Sequence, residues 1–446
     1  MNWLLERIGS HNNKEAIVYQ DKIYTYGDLF ARSLHYRDTI GARLKEGEVV
    51  VLLSDYSFSS IAMFMALIDN RNIIVPITTE VKHDIEERLS EAQADKIVTI
   101  EDEEYRIIAS DHNEEKHVLI RKLQDSGSAG LILFSSGSTG KAKSMIHNLD
   151  MLLDTYRYKK TKSLTLLIFL MFDHIGGLNT LFSALSMAMT IIIPSKRDPE
   201  HVCDLIEKYK INILPASPTF LNLILMSEAY RSRDLSSLIM ITYGTEQMPE
   251  ALLVRLRETF PRVKFVQTFG TSETGIARAT SKSSSSTCIK IDDPNLEYRI
   301  VDGELWLRSK TQVLGYLNCP MDRFTHDGWF KTGDLVETEE DDYIRIIGRN
   351  SEIINVGGQK VLPAELEGIL LQMPEIADCV VYGFENPITG QVVAVDVALS
   401  IDIPPHEIKR RILTFCRGKL ERYKTPARVN VVDRTNFSDR FKKIRK

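Results

Sequence analysis

Residues Leu131-Ile132-Leu133-Phe134-Ser135-Ser136-Gly137-Ser138-Thr139-Gly140-Lys141-Ala142-Lys143 decide the fold. The opening apolar run reads as a strand buried on both faces, the kind found inside a parallel sheet. It gives way to small, hydroxylated residues closed by two lysines. Small side chains let backbone N–H groups converge on an anion, and the hydroxyls and lysines add donors and positive charge. A strand running into such a loop suits the β- and γ-phosphates of a nucleotide. The loop is not a Walker A loop, which needs glycine at 135 and Ser or Thr at 142, where this chain has Ser135 and Ala142. It is not a GxSxG nucleophile elbow either, because position 136 is serine.

Outward from this segment, short β-branched runs at 49–53, 73–77, 96–100, 191–193, 211–214, 238–243 and 263–267 alternate with helical patterns at 59–69, 201–208 and 249–260. Strands alternating with helices imply a mainly parallel sheet covered on both faces. Near residue 300 the pattern changes: 304–308 and 343–347 alternate apolar with polar, like half-exposed strands. A polar turn at Arg349-Asn350-Ser351 precedes a restarted mixed pattern, with helices at 363–371 and 406–420 and strands at 380–384 and 392–398. The expected fold class is α/β. A large N-terminal domain of mainly parallel sheets with helices on both faces covers 1–348, and a smaller, mobile α+β domain covers 349–446. Residues 282–286, Lys-Ser-Ser-Ser-Ser, read as a loop.

The chain has 446 residues, 43% hydrophobic and 26% charged, which excludes a disordered, collagen-like or disulfide-scaffold protein. A formal net charge of −5 gives no global pull toward nucleic acid or anionic membrane. The five cysteines lie far apart with no CxxC pair, which argues against zinc or redox motifs and fits a reducing compartment. No apolar run approaches the roughly 20 residues of a membrane span, and no leader pattern opens the sequence, so the expected location is cytoplasmic. Neither nucleic acid nor a membrane is expected as a partner; a homodimer is left open.

Further motifs follow the loop in order. They are Phe269-Gly270-Thr271-Ser272-Glu273, Gly303-Glu304-Leu305-Trp306, Thr332-Gly333-Asp334, Gly348-Arg349-Asn350, Gly357-Gly358-Gln359-Lys360-Val361 and the terminal Lys443-Ile444-Arg445. The ordered series resembles the acyl-adenylate-forming superfamily of acyl- and aryl-CoA synthetases, peptide adenylation domains and luciferases. The resemblance spans about residue 20 to the end. Departures are Ala142 and Ser144 around Lys143, Ser272 for threonine, and Lys442 where glycine is usual.

The resemblance implies an acid–thiol ligase: a carboxylate attacks the α-phosphate of ATP, pyrophosphate leaves, and the acyl group passes to the thiol of CoA or of a phosphopantetheine carrier protein. Ser135, Ser136, Gly137, Ser138, Thr139, Gly140 and Lys143 would hold phosphates. Gly244, Thr245, Glu246, Phe269 and Gly270 would line the adenine pocket. Thr271 and Ser272 would reach the α-phosphate, and Asp334 and Arg349 the ribose. Glu273 would ligate Mg²⁺, which prefers oxygen ligands and often takes one carboxylate plus phosphate oxygens. Lys443 would stabilise charge between carboxylate and α-phosphate, with the adjacent Lys442 left open as the alternative. Asn350 would be the hinge, and Gly357 and Gly358 would let the pantetheine arm pass.

The acid is expected near Phe172-Asp173-His174-Ile175-Gly176-Gly177. Small residues there would leave room for an apolar fatty or aryl acid. His174 stands among the catalytic candidates, although a packed or gating role suits it better than that of a base. Asp173 also resembles the aspartate that pairs with the ammonium of an amino acid in peptide adenylation domains, which keeps an amino-acid substrate as the alternative. Other readings are a luciferase-like oxygenase, a non-catalytic nucleotide-binding relative, and a kinase or GTPase, the last opposed by the failed Walker pattern.

Overall fold

A computed structural model describes residues 2–78, 84–110, 115–135, 141–438 and 440–445. Two seven-stranded sheets build the N-terminal domain. In one, the order is 264–267, 240–243, 213–216, 165–167, 190–193, 15–19, 22–25, parallel except for the last hairpin. In the other, Gly130–Ser135, Ile73–Ile77, Val49–Leu53 and Lys96–Glu101 run parallel, with antiparallel strands at both edges. Val49–Val51 and Ile73–Val75 are wholly buried, as strands covered on both faces must be.

The helix Phe58–Asp69 starts at a capping box of Ser57 and Ser60 and is buried on every side except at its last residue. A helix apolar all round belongs inside a core. One continuous core takes Ile17 and Ile191 from the first sheet, Val50 and Leu131 from the second, and Phe64 and Leu178 from the helices packed with them.

A third, six-stranded sheet is wholly antiparallel and contains the half-exposed strands Glu304–Ser309, Phe330–Thr338 and Ile344–Arg349. The following five-stranded sheet packs on helices Pro363–Leu370 and Pro405–Cys416 around its own core. The fold is therefore the expected α/β architecture with a smaller α+β C-terminal part. The last long helix ends at Cys416 rather than near 420, because Arg417 turns to extended geometry. All five cysteines are free, and four are buried. Among the described residues no helix is long and apolar enough to cross a membrane.

Candidate active site

Ser135, Ala216, Tyr243 and Gln267 end parallel strands, and the chain beyond those carboxyl ends opens into cavities, the usual ligand position in such sheets. A cleft of about 220 Å³ separates the N-terminal sheets from the C-terminal domain. A second cavity of about 210 Å³ lies deeper, between Ser135, His174, Ala216 and Glu273. Gly244, Thr245, Phe269, Arg349 and Lys442 line both.

The cleft has the chemistry of a nucleoside site. Asp334 is 4% exposed and accepts from Arg349 Nε at 2.8 Å through Oδ1, which leaves Oδ2 for a diol. Burial pushes the Asp334 carboxyl up, and Arg349 opposes that shift. Gln247 Oε1 and Gln267 Oε1 are buried acceptors without a partner among the described residues, the complement of an exocyclic amine. Phe269 lies beside them, 6% exposed. Thr245 is held at φ +72°, a strained value for a β-branched residue. Glu246 accepts from Thr219 N at 2.7 Å and from Lys443 N at 3.2 Å, so it ties the core to the tail.

Glu273 lines the deeper cavity, 7% exposed. Its Oε1 accepts from Tyr316 OH at 3.0 Å, leaving Oε2 for a cation that would take its other oxygens from phosphate and water. Lys143 lies over the Tyr316 ring at 5.4 Å. Ser135 and Ser272 also line this cavity. Thr271 lines it too, with its Oγ1 closing a turn, bonded to Thr274 N at 3.1 Å and to Thr274 Oγ1 at 2.9 Å. Ser136, Gly137, Ser138, Thr139 and Gly140 lie outside the described residues.

The two terminal lysines are placed differently. Residues 436–438 and 440–444 pair as the two arms of a hairpin, with Ser438 N bonded to Lys442 O at 2.9 Å and Ile444 N to Asn436 O at 3.0 Å. Lys443 lines the cleft but not the deeper cavity, and its Nζ is engaged there, meeting Asp378 at 3.0 Å, Glu367 at 3.8 Å and the Cys379 carbonyl at 2.6 Å. Lys442 is the lysine at the junction, beside Arg349, Glu246 and Asp334. The residue before it, Phe441, stands at φ +51°. That left-handed site is where glycine fits best.

The acid-binding expectations also shift. Phe172 is fully buried and stacks on Tyr56 at 4.5 Å, so it is core rather than cavity wall. Asp173 is 2% exposed and sits between Arg88 at 3.4 Å and Arg440 at 3.0 Å, outside the cavity. Gly177 makes no room for a ligand: a Cβ there would lie 2.1 Å from Met171 O, so the glycine permits close backbone packing. Gly176 and His174 do line the cavity. His174 caps the helix Ile175–Ser186, its Nδ1 accepting from Gly176 N at 3.0 Å. Burial, with Lys442 and Arg440 nearby, holds its pKa well below the usual imidazole range. It is a neutral ring with its proton on Nε2, not a base waiting for one.

Asn350 begins a short 3₁₀ turn, and Gly357 and Gly358, at φ +58° and +86°, form an exposed turn outside both cavities. Sequence reasoning missed Tyr316, Gln247, Gln267 and Arg323, and left Lys442 as the alternative to Lys443. Arg323 donates through Nε to Lys331 O at 3.0 Å and lines the deeper cavity. None has a spacing signature; only the Lys-Lys pair carried a signal.

The family model described as "AMP-binding enzyme" matches residues 4–317, and "AMP-binding enzyme C-terminal domain" matches 365–438. The chain is 32% identical over 238 residues to the 4-coumarate–CoA ligase-like 6 of Oryza sativa subsp. japonica, a match covering 49% of this chain and 40% of that protein. It is 26% identical over 474 aligned residues to the 2-succinylbenzoate–CoA ligase of Bacillus pumilus (strain SAFR-032), covering 97% of this chain and 94% of that one. The matched stretch thus spans under half of the plant relative and nearly all of the bacterial one. The crystal structure of the anthranilate CoA ligase AuaEII in complex with anthranoyl-AMP aligns with TM-score 0.83 at 21% identity, covering 98% and 94% of the two chains, a likeness of fold.

Proposed function

The chain belongs to the AMP-binding enzyme family, and we propose that it activates a carboxylic acid with ATP, releasing pyrophosphate, and passes the acyl group to the thiol of CoA or a carrier protein. The observation that carries this reading is Lys442, which lines both the nucleoside cleft and the inner cavity. An ammonium there meets the point at which an acid's carboxylate approaches an α-phosphate. Preorganised charge at that point lowers the barrier without reorganisation.

The roles follow from the geometry. Asp334 and Arg349 hold the ribose, and Gln247 and Gln267 accept from the adenine amine. Glu273 holds Mg²⁺, which neutralises phosphate charge when bound. Lys143 and Ser135 lie toward the phosphates. Leu170, Ile175, Pro215, Ala216 and Ile276 give the acid apolar walls, which supports a fatty or aryl acid. Asp173 is already paired with two arginines, which counts against the amino-acid alternative.

The test is ATP-dependent pyrophosphate release across fatty, aryl and amino acids, with CoA, with a pantetheinylated carrier, and with neither. Turnover with one acid class, abolished in Lys442→Ala, is expected. ATP binding without pyrophosphate release from any acid would refute the reading.

A further inference from the structure

Apart from the residues it shares with the cleft, Lys442 among them, the inner cavity carries a polar group that nucleotide binding does not use. On the helix Ile175–Ser186, Gly176, Asn179 and Thr180 share one face, spaced by three and four residues, and all three line the cavity. Ile175 and Ile276 close it, and behind them lies a smaller cavity of about 40 Å³ that Tyr156 also lines. Asn179 therefore stands where the far end of a bound acid would reach.

The hydrogen bonds fix which end of the amide faces the ligand. Tyr156 is buried and its pKa is pushed up by desolvation, so its phenol keeps its proton. That OH donates to Asn179 Oδ1 at 2.8 Å. Lys159 holds the ring from behind, with Nζ at 4.8 Å from its centroid and bonded to Ser183 Oγ at 2.8 Å. With Oδ1 engaged, Asn179 presents Nδ2, a donor with no partner among the described residues. Thr180 cannot take this role, because its hydroxyl is spent on Gly176 O at 2.9 Å.

We infer that Asn179 selects an acid bearing a neutral oxygen acceptor, a hydroxyl or carbonyl, at the end opposite the reacting carboxylate. Leu170, Ile175, Pro215, Ala216 and Ile276 line the same cavity as Asn179, so the part of the acid between its two ends is hydrocarbon or ring. The acceptor is neutral because the charged residues of the cavity, Glu273, Arg323, Arg349 and Lys442, belong to the nucleotide side. A site that hydrogen-bonds a substrate oxygen rejects the analogue lacking it more strongly than an apolar pocket rejects a missing methylene. This rests on the acid-activating reading above and narrows its substrate class.

The experiment measures pyrophosphate release with isosteric pairs that differ only at the far end. Hydroxyl and methyl members would be compared among para-substituted benzoic acids, para-substituted phenylpropenoic acids and ω-substituted medium-chain acids. In the series that turns over, the hydroxyl member is expected to be favoured at least about tenfold in kcat/KM. Asn179→Leu should bring that ratio close to one, mainly through the KM of the hydroxyl acid. Tyr156→Phe, which frees the amide to rotate, should lower it part of the way and serves if the leucine variant does not fold. A wild-type ratio at or below one, or a ratio untouched by either variant, overturns the inference while leaving acid activation standing. Absence of pyrophosphate release from every acid overturns acid activation itself, and this inference with it.

Discussion

Lys442 and Lys443 are adjacent in the chain and sit in opposite electrostatic surroundings. Lys442 faces the cavities among Arg349 and Arg440, and desolvation with those charges pulls its pKa down to about 8. Lys443 is enclosed by Asp378 and Glu367, which hold it protonated. The two substitutions should therefore fail differently. Lys442→Ala is expected to lose about 10²–10³-fold in pyrophosphate release, the scale of one missing transition-state donor, with a denaturation midpoint at neutral pH raised above wild type, because the buried ammonium no longer has to be desolvated. Lys443→Ala leaves buried carboxylates without their main cation and should cost about 3 kcal/mol of stability, near the low end for a broken buried pair. Arg445 still meets Glu367 at 3.0 Å, which limits the loss. Chemical denaturation and initial rates on both variants separate the two effects.

The depressed pKa of Lys442 sets a pH dependence. Between about 8 and the ordinary lysine value of 10.5, the unfolded chain holds a proton at this site that the folded chain has lost. Stability therefore rises with pH across that window, relative to Lys442→Met. Activity should move the other way, because the reaction uses the ammonium. The kcat/KM profile is expected to fall above a pH near 8. The limb in kcat should lie higher, since bound phosphates favour the charged form. Lys442→Arg should remove the limb altogether.

Asp173 is shared by a buried and a partly exposed arginine, and these should also separate. Arg88 and Asp173 have side chains 9% and 2% exposed. Asp173→Asn leaves the Arg88 charge without compensation and should cost about 3 kcal/mol, read from the urea midpoint. Arg440 is 24% exposed and belongs to the tail hairpin. Arg440→Gln should cost little stability but lower adenylation several-fold, because the hairpin that carries Lys442 loses an anchor.

The parts of this architecture legible in sequence are those fixed by local chemistry. Apolar runs such as 49–53 announce buried strands, and Thr332-Gly333-Asp334 announces a carboxylate that ends up 4% exposed in the nucleoside cleft. What escaped depends on partners distant in the chain. Asp173 reads as a ligand until Arg440, 267 residues away, is seen to pair with it. Gly177 reads as space for an acid until Met171 O is found against it. The lysine register turns on the sign of one φ angle at Phe441, which no residue pattern encodes.

Glu273 and Tyr316 bear on the metal. Glu273→Gln should raise the Mg²⁺ concentration needed for half-maximal rate by an order of magnitude or more, since it removes the carboxylate charge that a hard cation prefers. Tyr316→Phe keeps the carboxylate and loses only the bond that orients it, so a smaller rise is expected. Rates measured across a Mg²⁺ titration at fixed ATP check both, and equal half-saturation in Glu273→Gln and wild type would remove Glu273 from the metal site.

Phe441 pits backbone strain against packing. Its φ of +51° costs an L-residue roughly 1–2 kcal/mol that glycine would not bear. Its ring, however, meets Phe169 at 5.2 Å, Phe220 at 5.1 Å and Phe437 at 5.5 Å. Aromatic pairs add about 0.5–1.5 kcal/mol each beyond area burial, so three contacts outweigh the strain. The phenylalanine thus holds the hairpin, and Lys442 with it, against the N-terminal domain. Phe441→Gly should relax the backbone yet loosen this docking, slowing pyrophosphate release several-fold. If the C-terminal domain must leave this position before the thiol attacks, the same change should leave the thioester step equal or faster in single-turnover measurements. Slowing of both steps alike would mean that Phe441 serves the fold of the tail rather than its docking.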